Sequence, residues 1–324
     1  MTGEAAGRVQ VAVLDDWQAV APALGPWDRL GDRVDVHAFA DHVADEDELV
    51  ERLERFEVVV AMRERTPLRR RVLERLPALR LLITTGMANA AIDVAAARER
   101  GVVVSGTRGG VAPTVELAWA LILAVTRNVV AEDARVRAGG WQHTIGPQLA
   151  GRTLGIVGLG RIGARMAEIA RAFEMDVLAW SEHLTAERAS GAGARYVERD
   201  ELLRSADVVT IHLRLSDRTR GLIGARELAL MRPSAYLVNT SRGPIVDEDA
   251  LLEALRRGTI AGAGLDVFAE EPLPADHPLR TAPRTVLTPH LGYVSEDNYR
   301  QYFADVVEDV AAWLDGAPTR ELEA

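Results

Sequence analysis

The chain has 324 residues, of which 48% are hydrophobic and 27% charged, and its net charge is −10. This length predicts two domains, and this balance is typical of a soluble globular protein that binds neither nucleic acid nor membrane. The sequence has no cysteine and no lysine, so disulfides, thiolate-ligated metals and Schiff-base chemistry are excluded, and we expect no metal site.

The first hundred residues alternate short apolar runs with helical patterns. The N-terminus leads directly into the first run without the features of a secretion signal, so we expect a cytoplasmic protein. Such alternation predicts βαβ units around a parallel sheet. The predicted strands are Val9–Leu14, Val34–Phe39, Val58–Met62, Leu79–Thr84 and Val102–Val104, and the predicted helical segments are Asp45–Arg55, Pro67–Leu76 and Asp93–Arg100.

A second alternating series follows the longest helical pattern, Thr114–Ala138, which ends at Gly139. The chain therefore reads as two α/β units, with the boundary near residue 105. The predicted strands of the second series are Thr153–Val157, Asp176–Trp180, Arg195–Val197, Val208–Leu213, Tyr236–Asn239, Gly262–Val267 and Val286–Leu287, and Asp297–Leu314 is the final helix.

A GxGxxG motif, formed by Gly158, Gly160 and Gly163, follows the strand Thr153–Val157 and opens a helix running to about Phe173. In this strand–turn–helix context the glycines allow a tight turn, close approach of a pyrophosphate, and packing of the helix on the strand. The alternative is a glycine-rich turn without a ligand. The flanking strand and helix favour a dinucleotide site.

The residues after the next strand bear on the choice of dinucleotide. A carboxylate at that strand end binds the adenosine ribose of NAD and repels the 2′-phosphate of NADP. Ser181 occupies the strand end here, and Glu182 follows one place later. Because no arginine lies in Ser181–Ala186, the sequence favours NAD(H), and NADP(H) stays open as the alternative.

Three motifs at predicted strand ends carry the reaction chemistry. Arg242 offers a planar cation for a carboxylate, and His290 offers a proton near neutral pH. Glu271 can orient the imidazole and stabilise its protonated form. Taken singly, each residue has an ordinary alternative as a solvated or capping side chain. Their joint occurrence after a dinucleotide loop favours reduction of a 2-oxo acid or oxidation of a 2-hydroxy acid.

Over nearly its whole length, the chain resembles the D-isomer-specific 2-hydroxyacid dehydrogenases, the group that includes D-3-phosphoglycerate dehydrogenase. Leu154–Gly163 is similar to the family's nucleotide loop, and Asn239–Gly243 to its arginine motif. Gly264–Pro272 is similar to its glutamate motif and Pro289–Gly292 to its histidine motif. The resemblance implies an NAD(P)-dependent D-2-hydroxyacid dehydrogenase, or 2-oxo acid reductase.

The resemblance also implies an architecture and a partner. A Rossmann cofactor domain, residues 106–292, is expected to be inserted into a flavodoxin-like substrate domain made of residues 1–105 and 293–324. Both are expected to be doubly wound parallel-sheet α/β domains. Family members have their active site in a cleft between the domains and are usually homodimers joined through the cofactor domains.

Further site residues follow from the same resemblance. Asp266 is expected to contact the nicotinamide amide. The backbone of a loop containing Gly86, Met87 and Ala88 is expected to hold the substrate carboxylate together with Arg242. The remaining expected cofactor contacts are Arg161, Ile162, His212, Thr219, Thr240, Ser241 and Gly292.

Substrate identity is the least determined property. Arg63 lies in an Arg-x-Arg-Thr segment similar to the one that phosphoglycerate dehydrogenases use near a phosphate, so it could meet an anionic tail or be merely solvated. Ala90–Asp93, Arg214 and Arg108–Pro113 depart from the family pattern. The alternative function is a nucleotide-sensing interaction protein of the same fold, similar to a transcriptional corepressor and without physiological turnover.

Overall fold

A computed structural model of the chain describes residues 7–323. The chain forms two compact units. The first unit contains the residues up to Gly110 and those from Ser295 onwards, and the second unit is Val111–Val294. The sequence predicts boundaries at residues 105/106 and 292/293, a few positions away. Each unit is built on one parallel β-sheet, so the predicted α/β class is confirmed.

The first unit holds a five-stranded sheet flanked by helices. Its strands are β1 (Val9–Val13), β2 (Val34–Ala38), β3 (Val58–Ala61), β4 (Leu81–Thr84) and β5 (Val103–Gly106). Its helices are α1 (Ala21–Leu24), α2 (Glu46–Leu53), α3 (Arg70–Leu73), α4 (Val94–Glu99) and α12 (Glu296–Leu314), with a 3-10 segment at Trp27–Arg33. The strand order β2-β1-β3-β4-β5 is that of flavodoxin-like sheets.

The apolar runs of the first unit are buried on both faces of its sheet. Every residue of β3 and β4 is buried, which is why these strands read as continuous rather than alternating apolar runs. Asp45 accepts the backbone N–H groups of Asp47 and Glu48 at the start of α2. This N-cap fixes where the predicted helix Asp45–Arg55 begins.

The second unit holds a seven-stranded parallel sheet. Its strands are β6 (Thr153–Val157), β7 (Asp176–Trp180), β8 (Arg195–Tyr196), β9 (Val208–Ile211), β10 (Tyr236–Asn239), β11 (Gly262–Leu265) and β12 (Thr285–Leu287). Its helices are α5 (Ala112–Thr126), α6 (Val129–Arg137), α7 (Arg161–Ala172), α8 (Ala186–Gly191), α9 (Arg199–Ser205), α10 (Ala225–Leu230) and α11 (Glu248–Arg257), with 3-10 turns at Gly243–Ile245 and Pro278–Thr281.

The strand order of the second unit is β12-β11-β10-β9-β6-β7-β8. This is the Rossmann arrangement, in which the direction of winding reverses at the first strand, β6. Ile156 belongs to one apolar cluster and Val157 to another. Because successive side chains of a strand point to opposite faces, the two clusters cover the two faces of the sheet. The carboxyl end of β6 therefore marks the expected place for a nucleotide.

The predicted single helix Thr114–Ala138 is wrong. The structure has two helices there, α5 and α6, bent by 64° at a break around Asn128. Asn128 has φ +52°, a left-handed conformation that asparagine tolerates better than most residues. Helix α5 contributes seven buried side chains and α6 none. The apolar side chains of α5 therefore pack in the core, whereas those of α6 do not.

In the described residues, no single helix is long and apolar enough to cross a membrane. The bent pair of α5 and α6 reaches the length and composition of a span only when its two helices are counted together.

Candidate active site

Two predicted catalytic side chains, His290 and Glu271, are in direct contact. The His290 Nδ1 lies 2.5 Å from one Glu271 carboxylate oxygen, and the other oxygen accepts the Phe268 backbone N–H at 2.9 Å. His290 is 12% exposed. A carboxylate on Nδ1 makes that nitrogen the donor and fixes the tautomer. In residues 7–323 no hydrogen bond is made to Nε2, so this nitrogen can exchange a proton with a ligand.

His290 sits in a turn with unusual backbone geometry. Its φ is +55°, a left-handed conformation that a histidine adopts only when its surroundings impose it. Its N–H donates to the carbonyl of Asp266 at 2.8 Å and to that of Thr288 at 3.0 Å. The Tyr293 ring packs edge-on against the imidazole, with ring centroids 5.4 Å apart. The turn thus presents the imidazole in one defined orientation.

Asp266 holds this turn through its carboxylate, which has no exposed surface. One oxygen accepts the Thr288 hydroxyl at 2.6 Å and the Leu291 N–H at 2.7 Å, and the other accepts the Gly292 N–H at 2.8 Å. Burial raises the pKa of Asp266, against the lowering effect of these hydrogen bonds. In the structure Asp266 positions the histidine turn. Its expected contact with the nicotinamide amide, like that of Gly292 with the cofactor, stays a prediction.

Arg242 follows β10 in a loop braced by Asn239. The Asn239 amide donates to the Arg242 carbonyl at 3.0 Å and accepts the Ser241 N–H at 3.0 Å. The Arg242 guanidinium donates to the Ser241 carbonyl at 2.7 Å, and the Ser241 hydroxyl donates to the carbonyl of Leu213. The arginine loop is therefore tied to the end of β10 and to the residues after β9.

The arginine loop packs directly on the glutamate loop. A side chain at Gly243 would overlap the backbone of Phe268 and Ala269, so only glycine allows this approach. The strands β10, β11 and β12, which lead into the three motifs, are neighbours in the sheet. Parallel neighbours deliver their carboxyl ends to one edge. The structure thus brings the motifs of Arg242, Glu271 and His290 to the same edge of the second unit.

The glycine loop has the geometry expected for a dinucleotide. Gly158 has φ +108°, and a Cβ there would lie 2.6 Å from the His212 carbonyl oxygen. A Cβ at Gly163 would overlap the Gly158 carbonyl, so these two glycines let β6 and α7 pack. Gly160, by contrast, borders open space. Open space at the N-terminus of a 12-residue helix is what a pyrophosphate requires.

The buried Thr240 hydroxyl is a second feature that fits a bound dinucleotide. The Thr240 hydroxyl is buried, with 6% of the residue exposed, and has no hydrogen-bond partner within residues 7–323. An unpaired buried hydroxyl is costly, and a bound cofactor would satisfy it. Arg161 and Ile162, the first two residues of α7, follow Gly160 directly. The expected roles of these residues remain predictions.

Ser181 and Glu182 have other partners in the structure. The Ser181 hydroxyl accepts the Leu159 N–H at 2.9 Å, so it ties the end of β7 to the glycine loop. Glu182 forms an ion pair of 3.0 Å with Arg218. The sequence gives no hint of this pair, because Arg218 lies far along the chain in the loop after β9.

His212 and Thr219 belong to that same region. The His212 ring lies 2.9 Å from the Thr210 hydroxyl, and burial lowers its pKa to about 3, so the ring is neutral at physiological pH. The Thr219 hydroxyl donates to the Arg214 carbonyl at 2.7 Å and accepts the Ser216 N–H at 2.8 Å. Thr219 therefore braces its own loop. Its expected contact with a cofactor stays a prediction.

Apart from Arg242, the predicted substrate residues lie close together in the first unit. The Arg63 guanidinium donates to the Thr85 carbonyl at 2.9 Å, and the Arg63 backbone N–H donates to the Thr85 hydroxyl at 2.9 Å. The Gly86 N–H donates to the Thr107 hydroxyl at 2.8 Å, so it is already used. Met87 and Ala88 are exposed. Their N–H groups are the donors that this loop can offer a carboxylate.

No group of three or more His, Asp or Glu side chains in residues 7–323 is arranged to hold a metal ion.

Comparison with known proteins identifies the family. The family model described as the NAD-binding domain of D-isomer specific 2-hydroxyacid dehydrogenases matches residues 119–292, more than half of the chain. The chain belongs to this family. The matched stretch includes the glycine loop and the three motifs that carry Arg242, Glu271 and His290.

Curated relatives of this D-2-hydroxyacid dehydrogenase are enzymes with small acid substrates in their names. A glyoxylate reductase of Aeropyrum pernix is 42% identical over 255 residues, 76% of this chain and 76% of that protein. A D-3-phosphoglycerate dehydrogenase of Archaeoglobus fulgidus is 36% identical over 277 residues, 85% of this chain. The chain spans about half of that relative, 52% of its length. The chain is thus an NAD(P)-dependent D-2-hydroxyacid dehydrogenase.

Solved structures agree with the fold. A phosphoglycerate oxidoreductase of Vibrio cholerae superposes with a TM-score of 0.91 at 37% identity, covering 95% of this chain and all of that one. The expected fold of the D-2-hydroxyacid dehydrogenases is thereby confirmed. Because the matched relatives are named as enzymes, they lend no support to the alternative of a nucleotide-sensing interaction protein.

Three residues that contact predicted site residues of this D-2-hydroxyacid dehydrogenase were missed from the sequence. Tyr293 packs on His290, and a search of the residues beside the histidine could have found it. Asn89 donates to the Arg63 carbonyl at 2.5 Å, and Arg218 pairs with Glu182. No local pattern points to these two, because each acts on a residue at least 26 positions away.

Proposed function

We propose that this D-2-hydroxyacid dehydrogenase reduces a small 2-oxo acid, with His290 as the proton donor. The observation that supports this most is the 2.5 Å contact between His290 Nδ1 and Glu271, because it leaves Nε2 for the substrate. The neighbouring arginine loop, held against the glutamate loop at Gly243, supplies a cation for the substrate carboxylate. A proton donor and a carboxylate-binding cation are what the reduction of a 2-oxo acid needs.

The proposed mechanism assigns one task to each residue. Arg242 binds the substrate carboxylate through its permanently charged guanidinium, helped by the N–H groups of Met87 and Ala88. When bound, the nicotinamide supplies a hydride to C2. His290 Nε2 donates a proton to the C2 oxygen as negative charge develops there. Glu271 stabilises the imidazolium before this transfer, and Asp266 keeps the histidine turn in place. Oxidation of the hydroxy acid runs through the same steps in reverse.

The proposed substrates are 2-oxo acids of two to four carbons. The names of the relatives include glyoxylate and 3-phosphoglycerate, so both an acid without a tail and one with an anionic tail come into question. Arg63 is the residue that we propose for an anionic tail. Its backbone is fixed by Thr85 and Asn89, which is the support that a specificity residue needs.

We further propose a cytoplasmic homodimer joined through the second unit. Five large hydrophobic side chains are exposed within a short stretch of that unit, at α6 and the loop after it. Several large exposed apolar side chains in one stretch of chain are more typical of an interface than of a surface facing water. Because family members are expected to be homodimers, we propose that a second copy of the chain covers these side chains. These side chains are Val129, Val130, Val136, Trp141 and Ile145.

The experiment is a panel of 2-oxo acids with NADH and NADPH, on the wild type and on His290→Ala. We expect turnover of glyoxylate, hydroxypyruvate, pyruvate or 3-phosphohydroxypyruvate, and a loss of kcat of about 10²- to 10⁴-fold in His290→Ala. His37→Ala, at a partly exposed histidine of the first unit, is the matched control and should keep its kcat.

Nucleotide binding, followed by the fluorescence of the reduced cofactor, should survive in His290→Ala. Binding without turnover of any acid in the wild type would instead favour the nucleotide sensor. Full turnover in His290→Ala would remove the histidine from the proposed role.

A further inference from the structure

An exposed ion pair stands beside the glycine loop. The Arg218 guanidinium lies 3.0 Å from the Glu182 carboxylate, and the side chains are 69% and 53% exposed. His183 lies 4.0 Å from the same carboxylate. The loop of Arg218 is braced by the Thr219 hydroxyl, which bonds to Arg214 and Ser216. Arg218 and His183 thus both lie within 4.0 Å of the Glu182 carboxylate.

The ion pair lies where a dinucleotide of this fold places its adenosine ribose. The Gly158 N–H donates to the Trp180 carbonyl at 2.8 Å, and the Leu159 N–H donates to the Ser181 hydroxyl at 2.9 Å. These bonds fix the end of β7 against the glycine loop. In Rossmann sheets the residue at this strand end selects between the ribose hydroxyls of NAD and the 2′-phosphate of NADP. Because the Ser181 hydroxyl already bonds to the glycine loop, we expect Glu182 and its partners to choose between the two cofactors.

A solvent-exposed ion pair is easily exchanged. Such pairs contribute little to stability, so separating Arg218 from Glu182 costs little. A 2′-phosphate carries nearly two negative charges and offers oxygens that match a guanidinium in two parallel hydrogen bonds. It can therefore replace the Glu182 carboxylate as the partner of Arg218. When the 2′ position carries only a hydroxyl, Glu182 remains available to accept it.

We propose that Arg218 is the specificity residue that lets this enzyme accept NADP(H) as well as NAD(H). The inference rests on the proposed dinucleotide site of the second unit. It changes the expectation from the sequence, which favours NAD(H) because Ser181–Ala186 contains no arginine. The arginine reaches this position through space, from the loop after β9.

The test compares two ligands that differ only in the 2′-phosphate, adenosine 2′,5′-bisphosphate and 5′-AMP. Their dissociation constants for the full-length protein are measured by calorimetry. In Arg218→Ala we expect binding of the bisphosphate to weaken by about 10-fold or more, the usual effect of losing a charge-assisted hydrogen bond. Binding of 5′-AMP should change by less than about 3-fold, as for an exposed charge.

Two further variants sharpen the test. Arg220→Ala removes the same charge from the same loop and should leave both ligands within about 3-fold of the wild type. Glu182→Gln removes the competing carboxylate, so the bisphosphate should bind more tightly while 5′-AMP does not. Arg218→Lys should retain part of the preference, because the charge remains and the planar fork is lost.

Two outcomes would overturn the proposal. One is a wild type that binds the bisphosphate much more weakly than 5′-AMP. The other is an Arg218→Ala variant that loses both ligands equally, or 5′-AMP alone, since Arg218 would then only support Glu182. Neither ligand contains a nicotinamide or a 2-oxo acid. Failure here is therefore distinct from failure of the proposed reduction, which is read from turnover with His290→Ala.

Discussion

His290 of the second unit and Arg63 of the first are the same kind of backbone position. Each follows the carboxyl end of a parallel strand, β12 or β3, and carries a proposed role towards the substrate. Each has left-handed geometry, with φ of +55° and +53°. Neither is glycine, so both conformations cost free energy that the surroundings must offset.

The two positions differ in what holds them. Neutral groups hold the Arg63 backbone: the Thr85 hydroxyl accepts its N–H at 2.9 Å and the Asn89 amide donates to its carbonyl at 2.5 Å. The buried carboxylate of Asp266 holds the His290 turn through three donors. Burying a charge is costlier than burying an amide, but each bond that it accepts is stronger. The turn of the proposed proton donor is thus fixed through a charge, and the backbone of the residue proposed for a substrate tail is fixed through neutral bonds.

The largest effect expected from this difference is at Asp266. Asp266→Asn replaces one acceptor oxygen by an NH₂ group that faces the Gly292 N–H. We expect the free energy of unfolding to fall by about 2–4 kcal/mol, since a buried donor loses its charged partner. We also expect kcat to fall at least about 10-fold, because the His290 turn is no longer held in one geometry. Urea titration and steady-state kinetics measure the two effects.

Asp247→Asn is the matched control for this change. Asp247 caps α11 in the same unit by accepting the Ala250 N–H at 3.0 Å. Because asparagine caps helices about as well as aspartate, this variant should stay within about 0.5 kcal/mol of the wild type. Equal losses in the two variants would mean that Asp266 is no more than an ordinary hydrogen-bonding aspartate.

A smaller effect is expected in the pH dependence. Burial raises the folded-state pKa of Asp266 above the ordinary value of an aspartate. A carboxyl with a raised pKa contributes its stability fully below the unfolded value and loses it as pH rises through the folded value. The stability advantage of the wild type over Asp266→Asn should therefore shrink as pH rises above about 4, the ordinary range of an aspartate.

Urea titrations of both proteins at several pH values measure this difference, in which the titration of all other groups cancels. An advantage that grows with pH would show that the hydrogen bonds, and not burial, dominate the ionisation of Asp266.

The smallest effects are expected at Arg63 and at Asn89, which supports its backbone. Arg63→Ala should raise KM for 3-phosphohydroxypyruvate about 10-fold and leave kcat for glyoxylate unchanged, because it removes one charged contact to a tail. Asn89→Ala should give the same selectivity at about 3-fold, since it loosens the turn and leaves the charge in place. Steady-state kinetics on the two acids separate the effects. An equal rise of KM for both acids would remove Arg63 from tail recognition.

Much of the site was predictable because its functional residues lie in short segments of the sequence. The glycine loop, the arginine loop and the histidine turn each lie within six residues at the end of a predicted strand. In a parallel sheet all such ends meet at one edge, so the contact between His290 and Glu271 could be anticipated. The break of the helix at Asn128 could not, because both halves have helical patterns and one left-handed residue separates them.

The sequence by itself determined the alternation of strands and helices, the dinucleotide loop and the three strand-end motifs. Those features depend on backbone preferences and on periodicity over a few neighbouring residues. Only the tertiary structure decided that Ser181 is committed to the glycine loop, that Asp266 supports the histidine turn, and that Arg218 reaches Glu182. Each of these contacts joins residues more than twenty positions apart. Such contacts follow from the order of the strands in the sheet, which no local pattern records.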